Sequence, residues 1–63
     1  MMTDKVTILR NGWTVFFGKC NGWYEVLIRD ARGEVHDNIR CDDYRNAQAY
    51  RRLFIAKAKG VKL

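Results

Sequence analysis

Residues 11–30 read NGWTVFFGKCNGWYEVLIRD, and this stretch decides the fold because the tripeptide Asn-Gly-Trp occurs in it twice, ten residues apart. Asn-Gly between alternating apolar runs is the strongest short-range signal of a β-hairpin, since a type I′ turn needs positive φ at both central residues. Two such turns in series predict a three-stranded antiparallel meander, with strands near 4–10, 13–20 and 23–30.

Two-residue loops at both Asn-Gly pairs also predict which side chains share a face of the sheet. In the second hairpin Phe17 would lie opposite Val26, and in the first hairpin Val6 would lie opposite Phe17. Side chains alternate between the faces with a period of two, so this register gathers apolar residues on one side. The predicted inner face carries Val6, Ile8, Trp13, Val15, Phe17, Tyr24, Val26 and Ile28. The predicted outer face carries Thr7, Leu9, Thr14, Phe16, Gly18, Cys20, Trp23, Glu25, Leu27 and Arg29.

A fourth strand is predicted over 34–40, after a type I turn with a G1 bulge that ends at Gly33. Val35 and Ile39 share one face of this strand, and we place that face inward.

A single helix is predicted over about 43–59. Asp42 or Asp43 is a suitable N-cap, and Gly60 stands where a C′ glycine would end the helix. The stripe expected to pack on the sheet is Ala47, Tyr50, Leu53, Phe54 and Ala58. The predicted fold is therefore α+β: one domain, residues 1–63, in which an antiparallel meander of three to four strands (sheet 4–40) is packed on one face by one C-terminal helix, in the order ββββα.

The charge of the chain favours an anionic partner. Twelve Lys and Arg residues against seven Asp and Glu residues give a net charge of +5, and residues 42–63 alone carry six basic and two acidic residues. Nucleic acid, an acidic protein surface and lipid headgroups all suit such a domain. Arg45, Arg52 and Lys59 are spaced by seven, so they share the helix side away from the sheet. They could follow phosphates, or they could form an ordinary solvated helix face.

Nothing in the sequence predicts catalysis, a cofactor or a metal. The chain has one histidine, His36, and no serine, and its two cysteines, Cys20 and Cys41, lack the paired spacing of a zinc site. Two cysteines without a signal peptide indicate a reducing cytoplasm, and no apolar stretch is long enough to span a membrane. We therefore expect a cytoplasmic, non-enzymatic protein with no cofactor and no membrane partner.

The outer face of the predicted sheet is more apolar than a solvated sheet face should be. Phe16, Trp23 and Leu27 point outward in the predicted register, and such a patch marks an interface. Three uses remain open: a homodimer contact, a surface on which bases stack, and a docking face for another protein. Trp23 is the expected hot spot in each case.

The stretch Trp23–Asp30 (WYEVLIRD), then Gly33, then a helix with Ala47-Gln48-Ala49-Tyr50, resembles the AP2-like DNA-binding domain. A similar layout of sheet and helix occurs in the arm-binding domains of phage-type integrases. The resemblance covers about half of the chain. It implies that a three-stranded sheet lies on the major groove with the helix behind it, so that Trp23 and Arg29 would meet DNA.

The leading hypothesis is a small basic module that binds nucleic acid, most simply DNA, as a homodimer formed through its sheet. Its candidate nucleic-acid-binding residues are Arg29, Trp23, Arg45, Arg52 and Lys59, and its candidate interface residues are Phe16, Trp23 and Leu27. The alternative is an accessory or inhibitor factor of phage or prophage type that binds a host protein through the aromatic sheet face.

Overall fold

Four antiparallel strands precede one helix in the computed structural model, which describes residues 5–60 apart from the side chain of Cys20. The strands are β1 (Lys5–Ile8), β2 (Thr14–Cys20), β3 (Trp23–Arg29) and β4 (Val35–Cys41), and the helix is α1 (Tyr44–Lys59). The strands lie side by side in chain order, and α1 packs on one face of the sheet. The predicted ββββα fold is confirmed, and the predicted first residue of the sheet, residue 4, lies outside the described residues.

The hairpin between β2 and β3 has the predicted turn and register. Asn21 and Gly22 both adopt positive φ, 48° and 90°, as a type I′ turn requires. Phe17 lies opposite Val26, as expected. The inner and outer sides of these two central strands are therefore those that the sequence pattern predicts.

The hairpin between β1 and β2 differs from the prediction by one residue. The amide of Leu9 donates to the carbonyl of Trp13 at 2.8 Å, and the amide of Gly12 donates to the carbonyl of Leu9 at 3.0 Å. Gly12 has a φ of 89°, whereas Asn11 is not among the residues with positive φ. These bonds define a three-residue loop, a type I turn followed by a left-handed glycine, in place of the expected two-residue turn.

The longer loop reverses the two faces of β1. Ile8 lies opposite Thr14 and Val6 lies opposite Phe16, so both β1 side chains are on the side away from the helix. Their exposures are 74% and 60%, and the expectation that they belong to the core is wrong. Leu9, expected on the outer face, packs against the core instead.

The side chain of Asn11 explains why the same tripeptide takes two different turns. Its Oδ1 accepts from the amide of Trp13 at 3.1 Å, and its Nδ2 donates to the carbonyl of Ala58 at 2.9 Å. The loop is thus joined to the last turn of α1. Asn21 is exposed at the other end of β2 and is free to take the left-handed conformation.

The turn from β3 to β4 is a second three-residue loop, as the G1 bulge expectation implies. The amide of Asp30 donates to the carbonyl of Glu34 at 2.9 Å, and Gly33 has a φ of 88°. A register shift at Ile28/Arg29 then places Val35 opposite Arg29, where it is 45% exposed. The inward placement of Val35 is therefore wrong.

The core lies between α1 and the inner face of the sheet. Its buried members are Trp13, Val15, Phe17, Val26, Ile28, Ala47, Phe54 and Ala58. Ile39 packs against this core as predicted. Leu53, expected in the helix stripe, is 58% exposed because the buried stripe is centred on Phe54 and successive helix residues are about 100° apart. Arg51 is half-buried instead and donates to Thr7 Oγ1 at 3.1 Å.

Both ends of α1 are near their predicted positions. Asp43 is the N-cap, and its carboxylate accepts from the amide of Asn46 at 3.3 Å. Gly60 follows the last helical residue, but its φ is −82° and it extends the right-handed path, with its amide donating to the carbonyl of Ala56. The helix thus ends near Gly60 without using the conformation that only glycine reaches easily.

The two Asn-Gly turns should respond differently to the same substitution. Asn11→Gly removes two side-chain hydrogen bonds, and we expect it to lower the free energy of unfolding by about 1–2 kcal/mol. Asn21→Gly should change it by less than about 0.5 kcal/mol, because glycine accepts the positive φ at that position. Urea unfolding of both variants measures the difference, and equal losses would contradict the three-residue loop.

Candidate functional site

The outer sheet face is the side of the sheet away from α1. All three predicted interface residues, Phe16, Trp23 and Leu27, lie on it, and each is half-buried. The reversed β1 adds Val6 and Ile8, which are far more exposed. The apolar patch is therefore larger than the sequence analysis predicts.

An apolar row crosses three strands at the centre of this face. Val6 lies opposite Phe16, Phe16 lies opposite Leu27, and the row ends at Asn38 on β4. Side chains in directly opposed positions are about 5 Å apart, so the three apolar residues form one continuous surface.

Charged and polar groups cover the β4 side of the same face. The guanidinium of Arg40 lies 5.3 Å from the centre of the Trp23 ring, a distance typical of a cation–π pair. Asn38 Nδ2 donates to Glu25 Oε2 at 2.8 Å. Arg40 is missing from the predicted site, although its place opposite Glu25 would have followed from a correct register for β4.

The other candidate surface is the solvent side of α1, which we call the basic helix surface: Arg45, Arg52 and Lys59. All three side chains are exposed, and they face away from the buried stripe of the helix. The helix contains five basic and no acidic residues, whereas the rest of the chain contains seven of each. The whole net charge of +5 therefore comes from this helix.

A cavity of about 450 Å³ extends the basic helix surface at the end of α1. Its lining includes Arg10 and Lys59 beside Ile8, Leu9 and Asn11. Two cations from separate elements thus flank one cavity, and Arg10 is a residue that the helix pattern alone could not add to the candidate site.

The five candidate nucleic-acid-binding residues fall on two opposite surfaces. Trp23 and Arg29 lie on β3 with their side chains on the outer sheet face, while the basic helix surface lies on the far side of the sheet. A single straight duplex cannot contact both sides of a two-layer domain. The candidate residues thus lie on the two opposite surfaces where the sequence pattern predicts them, and one duplex can use only one of these surfaces.

A buried carboxylate holds the turn between β3 and β4 and is missing from the predicted site. Asp30 Oδ1 accepts from the amides of Arg32 and Glu34 at 2.9 and 3.0 Å, and His36 Nε2 donates to Asp30 Oδ2 at 2.9 Å. The centre of the His36 ring is 4.7 Å from that of the Trp13 ring, and both rings line a cavity of about 250 Å³. The bulge that brings His36 to Asp30 has no sequence signal of its own.

Hydrogen bonding controls the charge of this carboxyl. The bond from His36 lowers the pKa of Asp30 below its usual 3.8, and the two backbone amides lower it further, while burial opposes them. A carboxylate beside an imidazole is not by itself a catalytic site, because nucleophilic catalysis also needs an activated nucleophile. The arrangement supports a role for Asp30 in fixing the turn.

Two further observations concern metal binding and membrane insertion. Within residues 5–60, no group of three or more His, Cys, Asp or Glu side chains is placed to hold a metal ion. The helix that the structure describes is too short and too polar to cross a membrane.

Comparisons with protein-family models, curated proteins and solved structures gave no match to this chain.

The lowered pKa of Asp30 predicts a specific acid sensitivity. The stabilisation that ionised Asp30 provides is complete above the pKa of the unfolded chain and is lost as the pH falls through the lower, folded-state pKa. Between about pH 4 and about pH 2, the melting temperature of the wild type should therefore fall more steeply than that of Asp30→Asn. Thermal melts followed by circular dichroism measure both slopes.

Asp37→Asn is the matched control, because Asp37 is exposed and its carboxylate accepts only from the neighbouring amide of Asn38. It should keep the wild-type slope. Parallel slopes for the wild type and Asp30→Asn would contradict the assignment.

Proposed function

We propose that this chain is a small, cytoplasmic, non-enzymatic module that binds nucleic acid, most simply DNA, through the basic helix surface. The observation that carries the proposal is the confinement of the whole net charge to α1, with no carboxylate on the helix to oppose it. Phosphate contacts supply most of the affinity of non-specific nucleic-acid binding, and such contacts need unopposed Lys and Arg side chains.

The spacing of the basic residues suits a phosphate backbone. Arg45, Arg52 and Lys59 are seven residues apart, so they lie about 10 Å from one another and span about 21 Å along the helix. Arg10, beside Lys59 in the same cavity, adds a fourth cation at one end. Three or four phosphate contacts correspond to weak, salt-sensitive binding, with dissociation constants of about 1–100 µM at physiological salt.

The resemblance to AP2-like domains supports a different docking mode, in which Trp23 and Arg29 on the outer sheet face enter the major groove. The exposed Val6 and Ile8 on that face oppose it, because a groove reader needs donors and acceptors at those positions. They favour the alternative function, the docking of a protein, at the sheet. We therefore assign nucleic acid to the helix and protein contact to the sheet.

Charge removal on the helix should flatten the salt dependence of binding. In the triple variant Arg45→Gln, Arg52→Gln, Lys59→Gln, three phosphate contacts are lost, so the slope of log K against log salt should fall by about 2.7 for a duplex and about 2.1 for a single strand. Fluorescence anisotropy with a labelled 20-base-pair duplex and a single strand of equal length, about 20 nucleotides, measures it.

The matched control is Lys5→Gln, Lys19→Gln, Arg32→Gln, which removes the same charge from exposed positions outside the helix. It should keep nearly the wild-type slope. Equal losses in the two triple variants, or wild-type binding weaker than about 100 µM at low salt, would contradict the proposal. Loss of binding in Trp23→Ala alone would favour the sheet mode.

A further inference from the structure

The charges on the outer sheet face are complementary to those of a second copy whose strands run in the opposite direction. On β3, Glu25 lies two residues before Leu27 and Arg29 lies two residues after it, on the same face. Among the described residues, neither Glu25 nor Arg29 forms an ion pair. We propose that this face binds a second copy of the chain, about a two-fold axis that passes over Leu27.

A two-fold axis that lies between two stacked sheets, perpendicular to the strands, reverses the strand direction and keeps each strand over its own copy. Such an axis brings Glu25 over Arg29 of the second copy, and it does so twice because the contact is isologous. Like charges stay apart, since the two Arg29 side chains would be about 14 Å from each other along the strand.

The apolar row fits the same axis. Leu27, Phe16 and Val6 lie on one line across the sheet, so each would pack against its own copy at the centre of the contact. An axis parallel to the strands would instead place β1 over β4 and β2 over β3. Val6 would then lie against Asn38, and Glu25 and Arg29 would lie over Gly18 and Thr14 and not over each other. The distribution of apolar and charged residues therefore selects the first axis over the second.

The size of the face predicts a weak dimer. Four strands about 4.8 Å apart, three of them seven residues long and β1 four, cover at most roughly 19 by 23 Å, which is at the small end of specific protein interfaces. We therefore expect a dissociation constant of about 1–100 µM. The two helices would lie on the outer surfaces of the resulting four-layer dimer, so the basic helix surface stays accessible. The inference does not rest on the proposed function.

Sedimentation equilibrium of the full chain, from about 10 µM to about 1 mM, tests the dimer directly. The wild type should dimerise across this range, and Leu27→Asp should raise the dissociation constant at least about 30-fold, because two carboxylates would meet on the axis. Leu53→Asp is the matched control on the exposed helix side and should change it less than about twofold. A monomeric wild type, or a dimer that tolerates Leu27→Asp, overturns the proposal.

Exchanging the charges of Glu25 and Arg29 tests the position of the two-fold axis. It also shows whether the face binds a second copy of the chain or a different protein. Arg29→Glu and Glu25→Arg should each raise the dissociation constant about tenfold, and the double variant should return it to within about threefold of the wild type. Failure of the double variant to recover overturns the proposed axis. These variants change only exposed or half-buried positions, so they remain informative if Leu27→Asp fails to fold.

Discussion

The number of residues in the first hairpin loop decides which side chains of β1 meet the helix. Because side chains alternate along a strand, a loop of three residues in place of two exchanges the faces of the whole strand. The hydrogen bond from Asn11 to the carbonyl of Ala58 ties the three-residue loop to the end of α1. Together with the bond from Arg51 to Thr7 Oγ1, it joins the first hairpin to the last element of the chain. The composition of the outer sheet face depends on the length of this loop.

Two surfaces with different chemistry follow from that arrangement. The outer sheet face gains Val6 and Ile8 and becomes a nearly uncharged apolar surface at its centre, which suits protein contact. One stripe of the helix packs in the core, and the basic helix surface faces solvent on the opposite side. The sheet thus separates an apolar surface from a cationic one by the thickness of the domain. The two proposed contacts, protein at the sheet and nucleic acid at the helix, therefore use opposite sides of the domain.

The sequence predicts the parts of the fold that local chemistry controls. The ββββα order, the register of β2 and β3 and the outward position of Trp23 follow from turn residues and periodicity, and the sequence narrows the N-cap to Asp42 or Asp43. The first hairpin does not follow from them, because the tripeptide Asn-Gly-Trp is identical at both turns and only a tertiary contact at Asn11 distinguishes them. The register shift that turns Val35 outward likewise has no sequence signal of its own.

Nuclear magnetic resonance tests the register of the first hairpin most directly. In an antiparallel pair, the α-protons of opposed residues that are not hydrogen-bonded to each other approach closely, because their Cα atoms are only about 4.5 Å apart. The three-residue loop predicts strong α-proton contacts between Ile8 and Thr14 and between Val6 and Phe16. Strong contacts that join Leu9 to Thr14 and Thr7 to Phe16 would instead indicate a two-residue loop. That loop would return Val6 and Ile8 to the core, and it would contradict the account of the outer sheet face.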